Sequence, residues 1–125
     1  MRPGIAGVLA LAAVLAACTD DIFSGPTDSG GAFEISVSGG TQPVYSWSAG
    51  AAFTVAVVRA ADRTVVVWRV ADPINSDIRS PLSHGTVPSG AFETVSRERT
   101  LSRGIRYRVT ITLADGRSAF REFTP

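Results

Sequence analysis

The sequence predicts an all-β domain that follows a short apolar N-terminus. Apolar and polar residues alternate with period two in short segments from residue 33 onward, which is the pattern of half-buried strands. Gly, Pro, Asp and Ser separate these segments, and no window carries an apolar stripe of helical period bounded by capping residues. An Asp-Gly pair between two alternating segments is typical of a hairpin, so we expect antiparallel strands.

The first two predicted strands are short. Residues 33–38 alternate apolar side chains with Glu and Ser until a Gly-Gly pair ends the run. After a proline, Tyr45 and Trp47 alternate with serines. We expect Trp47 to lie in the core, because a buried indole contributes a large apolar area when its N–H finds an acceptor.

The third and fourth predicted strands, over residues 53–58 and 64–70, form the most apolar part of the domain. In the fourth strand Val66, Trp68 and Val70 alternate with other residues, and we expect these three to face the core. Trp68 is then the second core indole.

Val65 and Val67 are consequently expected to point outward, next to apolar residues of the third strand. Arg106 and Arg108 are expected to border this strip, and exposed apolar surface with a polar rim often marks a site for a protein partner. These four residues are therefore the candidate partner-binding residues. The alternative, that neighbouring side chains cover the strip, stays open.

The chain between residues 71 and 94 contains several Pro and Gly residues, which prevent long strand ladders. Ile78 and Leu82 are expected to fill the core from this irregular edge, and a short strand is expected within residues 92–101. The two strands that follow have the clearest alternation in the chain.

The predicted hairpin fixes which residues of the last two strands lie opposite each other. A two-residue type I′ turn at Asp115-Gly116 pairs Ile111 with Phe120, so Phe120 is expected to face the core. The same register places Phe123 on the arginine-bearing face. Either Phe123 packs there or a bulge turns it inward, and both alternatives remain open.

Residues 101–111, with the sequence LSRGIRYRVTI, resemble the L-x-x-G-x-x-Y-x-V-x-V signature of fibronectin type III domains. Leu101 and Gly104 match the turn in that signature. Tyr107 matches the tyrosine whose hydroxyl bonds upstream backbone in the tyrosine corner. Trp47 is similar to the core tryptophan on the family's second strand.

This resemblance implies a two-sheet antiparallel β-sandwich, fibronectin type III-like or Ig-like, with about seven strands over residues 33–125. Residues 78–85 depart from the animal modules and look more like divergent domains of bacterial surface lipoproteins. The chain contains no Arg-Gly-Asp adhesion triplet. The resemblance therefore implies a role in binding or spacing, without a specific ligand.

A second resemblance concerns the N-terminus. The tetrapeptide LAAC, which ends at Cys18 after an apolar run, looks like the lipobox of a bacterial lipoprotein. It implies a signal peptide over residues 1–17, cleavage between Ala17 and Cys18, a diacylglyceryl thioether on Cys18, and usually a further acyl chain such as palmitate on the new amino terminus. The apolar run is shorter than the roughly 20 residues that span a bilayer. A free thiol is the alternative for this single cysteine.

Lipidation implies a protein anchored to a membrane of the bacterial cell envelope. Thr19 follows the cysteine where Asp would favour retention at the inner membrane, so the outer membrane is favoured if the cell has two membranes. Residues 18–32 comprise the lipidated cysteine and a segment rich in Gly, Ser, Asp and Pro, which predicts a flexible tether with a root-mean-square span of about 20 Å.

The charge of the chain argues against a nucleic-acid partner. Without residues 1–17 the chain has eleven arginines, eleven acids and no lysine, so it is formally neutral. Its expected partners are the membrane, through the lipid, and a protein or glycan ligand. Five arginines between residues 97 and 108 are interpreted as a solvated strand face paired with nearby Glu, and a site for an anionic glycan or lipid headgroup is the alternative.

No catalytic or metal site is predicted, and no cofactor other than the covalent lipid. The single histidine, His84, stands beside Ser83, but this serine is on no G-x-S-x-G turn, and no spacing suits zinc or calcium. We interpret the chain as a lipid-anchored, non-enzymatic binding or assembly module. A structural accessory subunit or spacer that acts through a sheet edge is the alternative, and a hydrolase using Ser83 and His84 is the least favoured function.

Overall fold

The structure, a computed structural model, describes residues 29–125, so the predicted signal peptide and the predicted lipidation at Cys18 lie outside the described residues. Residues 29–125 form nine strands and no helix, which confirms the predicted all-β class. The strands are β1 (Ser29–Gly31), β2 (Ser36–Val37), β3 (Val44–Ser46), β4 (Ala52–Arg59), β5 (Val66–Ala71), β6 (Leu82–Ser83), β7 (Phe92–Ser96), β8 (Tyr107–Leu113) and β9 (Ser118–Phe123).

The strands form two antiparallel sheets, as predicted. The larger sheet has six strands in the order β1-β9-β8-β4-β5-β7, and the smaller has three in the order β2-β3-β6. The core contains both tryptophans, both tyrosines and the predicted plugs Ile78 and Leu82, and none of these six side chains is more than 6% exposed. The core residues predicted from alternation and from the two indoles are therefore largely confirmed.

The predicted boundary between tether and domain is wrong, because Ser29–Gly31 forms strand β1. Gly30 and Gly31 lie opposite Phe120 and Ala119 of β9. A Cβ atom added at Gly31 would lie 2.4 Å from the Cα of Ala119, and its φ of 108° is one that side chains rarely adopt. The glycines that indicated a linker are required here because the backbones of β1 and β9 approach each other closely.

The last hairpin turns through three residues rather than the predicted two. The Leu113 N–H donates to the Arg117 carbonyl at 2.8 Å, which closes a loop over residues 114–116. Gly116 has a φ of 93° and supplies the left-handed residue that a three-residue hairpin loop requires. The extra residue shifts the register of the two strands by one position.

This register reverses the predicted inward face of β9. Ile111 pairs with Ala119, which is buried, whereas Phe120 lies on the outer face, where the guanidinium of Arg108 is 3.8 Å from the ring centroid. Phe123 faces inward and packs against both core tyrosines. The inward alternative for Phe123 is thus the observed one, and the longer loop, not a bulge, is the cause.

A β-bulge in β5 reverses the predicted orientation of Val67. Val57 of β4 lies opposite Trp68, and the next residue, Val58, lies opposite Val66, so Val67 is the extra residue of the bulge. The Val67 side chain is 1% exposed and belongs to the core. Val66 was predicted to face inward, but it lies with Val58 on the outer face of the larger sheet.

We expect Val67→Asp to destabilise the domain far more than Val66→Asp. A carboxylate at position 67 would be buried without a partner, at a cost of about 3 kcal/mol or more, whereas one at position 66 would reach solvent. Urea unfolding of the two variants measures the difference. Equal losses of stability in the two neighbours would contradict the bulge.

Candidate functional site

Ser83 and His84 do not form a catalytic pair. Ser83 is exposed on β6, whereas the adjacent His84 points into the core and is 1% exposed. Consecutive residues of an extended chain project to opposite sides, so the two side chains diverge. His84 instead belongs to a polar cluster between the sheets, which we call the buried polar cluster. It also contains Tyr45, Glu98 and Tyr107, and at its exposed margin Arg59, whose side chain is 42% exposed.

Both ring nitrogens of His84 have partners in the buried polar cluster. Nδ1 lies 2.8 Å from the Tyr45 hydroxyl, and Nε2 lies 2.7 Å from the backbone carbonyl oxygen of Glu98. A carbonyl oxygen only accepts, so Nε2 carries the proton and Nδ1 accepts the hydroxyl proton of Tyr45. Neither nitrogen is left to activate a nucleophile such as Ser83.

Burial sets the protonation of this pair. The imidazole packs against the indole of Trp68 with ring centroids 4.5 Å apart. Desolvation lowers the pKa of His84 below its ordinary 6.5, although the Glu98 backbone and the charges of Glu98 and Glu93 act in the opposite direction. Burial also raises the pKa of Tyr45 far above its ordinary value. Near pH 7 the imidazole is therefore neutral and the phenol protonated.

The tyrosine corner predicted from the sequence is present at Tyr107. Its hydroxyl accepts the Ser102 N–H at 3.0 Å and donates to Oε1 of Glu98 at 2.7 Å. The other carboxylate oxygen of Glu98 accepts from Arg59 at 2.9 Å. Burial opposes ionisation of Glu98, but the hydrogen bonds from Arg59 and Tyr107 hold its pKa below the ordinary value. Leu101 is buried and Gly104 has a φ of 83°, as the turn before the corner requires.

Sequence patterns do not predict the buried polar cluster, because its members are far apart in the chain. His84 and Tyr45 are separated by 39 residues, and Arg59 and Glu98 by the same number. The spacing gave no signal for either contact. Only Tyr107 was identified, through the local motif that it shares with its turn.

The four candidate partner-binding residues do not form the predicted strip. Val67 is in the core, and Val65 is partly buried against it. Arg106 and Arg108 donate to the two carboxylate oxygens of Glu122 at 3.0 and 2.7 Å, which confirms the ion-paired interpretation for these two arginines. The carboxylate is largely buried, but the two guanidinium groups hold the pKa of Glu122 below its ordinary value.

An apolar strip nevertheless exists, with other members. We call it the outer strip, and it lies on the outer face of the larger sheet next to Arg108, which pairs with Val58. Phe92 is 56% exposed and the other members are partly buried. The outer strip comprises Ala56, Val58, Val66, Phe92 and Val95, and the exposed Arg69 lies between Ala56 and Val95 in the register.

The outer face of the smaller sheet is different in character. Ser36 lies opposite Ser46, and Val44 lies opposite Ser83. Three of these four side chains are hydroxyls, so this face interacts well with water. Of the four exposed large apolar side chains within residues 29–125, Phe53 and Phe92 lie on strands of the larger sheet, whereas Ile74 and Val87 lie in loops. Between the two sheet faces, the outer strip is therefore the better candidate for a contact surface.

Within residues 29–125 no three His, Cys, Asp or Glu side chains are grouped so that they could hold a metal ion. The same residues include no helix that is long and apolar enough to cross a membrane. Comparison with protein-family models, curated proteins and solved structures found no match to the chain.

We expect Tyr107→Phe to lower the free energy of unfolding by about 1 to 3 kcal/mol. The ring stays, but the Ser102 N–H loses its acceptor and Glu98 loses one of its two side-chain donors. Equilibrium unfolding in urea measures the change. An unchanged unfolding midpoint would mean that solvent replaces the hydroxyl, and the corner would then carry no stability.

We expect acid to destabilise the domain through His84. Its folded pKa lies below 6.5, so the unfolded chain binds the proton first, and stability that is complete above pH 6.5 falls as the pH drops below it. The slope is at most about 1.4 kcal/mol per pH unit. Urea unfolding between about pH 7.5 and 5.5 avoids most carboxylate protonation, because the pKa values of Glu93 and Glu98 are lowered.

His84→Gln is the matched control for this pH series, because an amide can replace both hydrogen bonds but does not titrate. Its stability should be nearly constant over the same range. An equal pH slope in the two proteins would show that a group other than His84 is responsible.

Proposed function

We propose that the chain is a lipid-anchored, non-enzymatic module of the bacterial cell envelope that binds a protein partner through the outer strip. The observation that carries this proposal is the arrangement of the chain. A lipobox-like sequence ends at Cys18, and the described sandwich begins at Ser29, with only ten residues between them. This spacing suits a small domain held close to a membrane.

The proposed anchor is strong enough for permanent attachment. One acyl chain gives reversible binding, whereas the two chains of a diacylglyceryl group, with a further chain on the amino terminus, hold a protein firmly at a bilayer. The residue after the cysteine, Thr19, favours the outer membrane in a cell with two membranes. Modification of the thiol also accounts for a single cysteine in an exported chain.

The fibronectin type III-like assignment of the domain is part of the same proposal. The Tyr107 hydroxyl bonds upstream backbone as in the tyrosine corner of that family, and Trp47 lies in the core between the sheets. Sandwich domains of this kind commonly serve as binding or spacing modules. The assignment therefore supports a binding role, but it suggests no particular ligand.

The outer strip supports a protein as the partner. Its valines and Phe92 lie on a sheet face beside Arg108, and aromatic residues and arginine are enriched in the centre of protein interfaces. A glycan would require a larger set of converging polar groups. The occupied ring nitrogens of His84 support the non-enzymatic part of the proposal.

The alternative of a spacer that acts through a sheet edge has weaker support. Strand β7 is an edge of the larger sheet, and it pairs with β5 among the described strands. A register shift between Arg69 and Val70 interrupts that ladder and leaves Thr94 of β7 without a partner in the register. Irregular edges of this kind discourage pairing with a further strand.

A crosslinking experiment in intact cells tests the proposed function. A photoreactive phenylalanine analogue replaces Phe92 in the outer strip or, as the matched control, Ser36 on the smaller sheet. We expect an adduct with one protein from position 92 and none from position 36, and we expect the adduct to disappear with Cys18→Ala, which removes the anchor. Intact mass should show a chain that begins at an acylated Cys18.

The outcomes separate the parts of the proposal. An unmodified thiol at Cys18, or an intact leader, would overturn the anchor. Equal adducts from positions 92 and 36 would overturn the outer strip as the contact surface. No adduct from either position would favour the spacer.

A further inference from the structure

The formal neutrality of the processed chain conceals an uneven distribution of charge. Three of its acids, Asp20, Asp21 and Asp28, precede the described domain, so residues 29–125 contain eleven arginines and eight acids. These charges are also divided between the two ends of the sandwich. We call the end with the turn at residues 60–64 and the loop at 97–106 the tether end, and the end with residues 72–78 and 114–116 the hairpin end.

The tether end has an excess of exposed positive charge. Arg63, Arg97, Arg103 and Arg106 are all exposed there. Glu98 and Glu122 at this end are less accessible than these arginines, whereas Asp62 is exposed. The carboxylates of Glu98 and Glu122 are 19% and 9% exposed and lie within ion pairs, and the exposed Asp62 accepts two hydrogen bonds from Thr64.

The hairpin end has exposed arginines too, but each is matched by an exposed acid. Arg79 pairs with Asp77 at 2.9 Å, and Arg117 pairs with Asp115 at 2.8 Å. These two pairs are neutral, and the buried Asp72 adds one acid, so this end has a small net negative charge. The domain is therefore positively charged at the tether end and slightly negative at the hairpin end.

The direction of β1 relates this charge to the N-terminal chain. Gly31 lies opposite Ala119, near the last hairpin, and Ser29 lies opposite Arg121, farther from it. Traced backward from Ser29, the chain therefore leaves the sheet toward the tether end. The ten residues from there to Cys18 span at most about 35 Å, so the lipid cannot lie far away.

We infer that the tether end faces the membrane and binds anionic lipid headgroups through Arg63, Arg97 and Arg103, with Arg106 beside them. A guanidinium presents planar, paired donors that suit phosphate oxygens. Electrostatic attraction to an anionic surface falls off within about 8 Å at physiological salt, so only the end nearest the lipid can respond to it. This orientation rests on the proposed lipid anchor, and it leaves the outer strip free for a partner.

Energy transfer between the domain and the membrane tests the orientation. The purified lipidated protein carries a donor fluorophore on Ala61→Cys at the tether end or on Ala114→Cys at the hairpin end; both alanines are exposed in turns. It is placed in phosphatidylcholine vesicles with headgroup acceptors, with or without phosphatidylglycerol. We expect greater transfer from position 61 than from position 114 with phosphatidylglycerol, and we expect loss of that difference in high salt.

The charge variants distinguish arginine binding from a constraint of the tether. Arg63→Gln, Arg97→Gln and Arg103→Gln together should abolish the difference, whereas Arg69→Gln, Arg79→Gln and Arg117→Gln together, which remove the same charge elsewhere, should preserve it. The inference would be overturned by equal transfer from the two positions or by greater transfer from position 114. It would also be overturned if the difference did not depend on phosphatidylglycerol and salt. If the fluorophore also labels Cys18, the thiol there is free, which would show that the anchor has failed rather than the orientation.

Discussion

The hydrogen bonds of Glu98 are the contacts on which the organisation of this sandwich most depends. It accepts hydrogen bonds from Arg59 on β4 and from Tyr107 on β8, and its backbone carbonyl accepts from His84, which follows β6 of the other sheet. The Glu98 carboxylate is largely buried and would be costly without hydrogen bonds, so both of its donors, which lie on the larger sheet, are needed. The bond from His84 to the Glu98 backbone carbonyl adds a link to the smaller sheet, so Glu98 fixes one relative position of the sheets where apolar packing alone would allow several.

The buried polar cluster also explains why the single histidine has no accessible chemistry. A histidine acts as a base when one ring nitrogen is free and its pKa lies near neutral pH. In this domain two hydrogen bonds occupy both nitrogens, and desolvation by the core lowers the pKa. The features that resemble a catalytic centre, namely an acid, a histidine and two tyrosines within a few ångströms, belong to the interior. The proposed function therefore uses the outer strip of the larger sheet rather than this interior cluster.

The sequence was sufficient for the fold class and most core residues, but not for the details that depend on one extra residue in a strand. Alternation identified the strands around Tyr45, Ile111 and Trp68, because burial on one face imposes period two. It failed at Val67, since a bulge changes the period locally and leaves no mark on composition. Composition was misleading at Ser29–Gly31, because glycine and serine favour a linker and only the contact with β9 explains why glycine is needed there. The buried polar cluster needs the tertiary fold before its members meet.

Strand β1 has a mechanical consequence. A force applied to the amino-terminal side of the domain reaches the three residues of β1 before any other part of the sheet, and the two glycines among them offer few side-chain contacts to resist it. Detachment of β1 would lengthen the connection by about 10 Å and leave the remaining eight strands paired as before. Ser29–Gly31 is therefore positioned to yield first under load, so that tension is relieved before the core is disturbed.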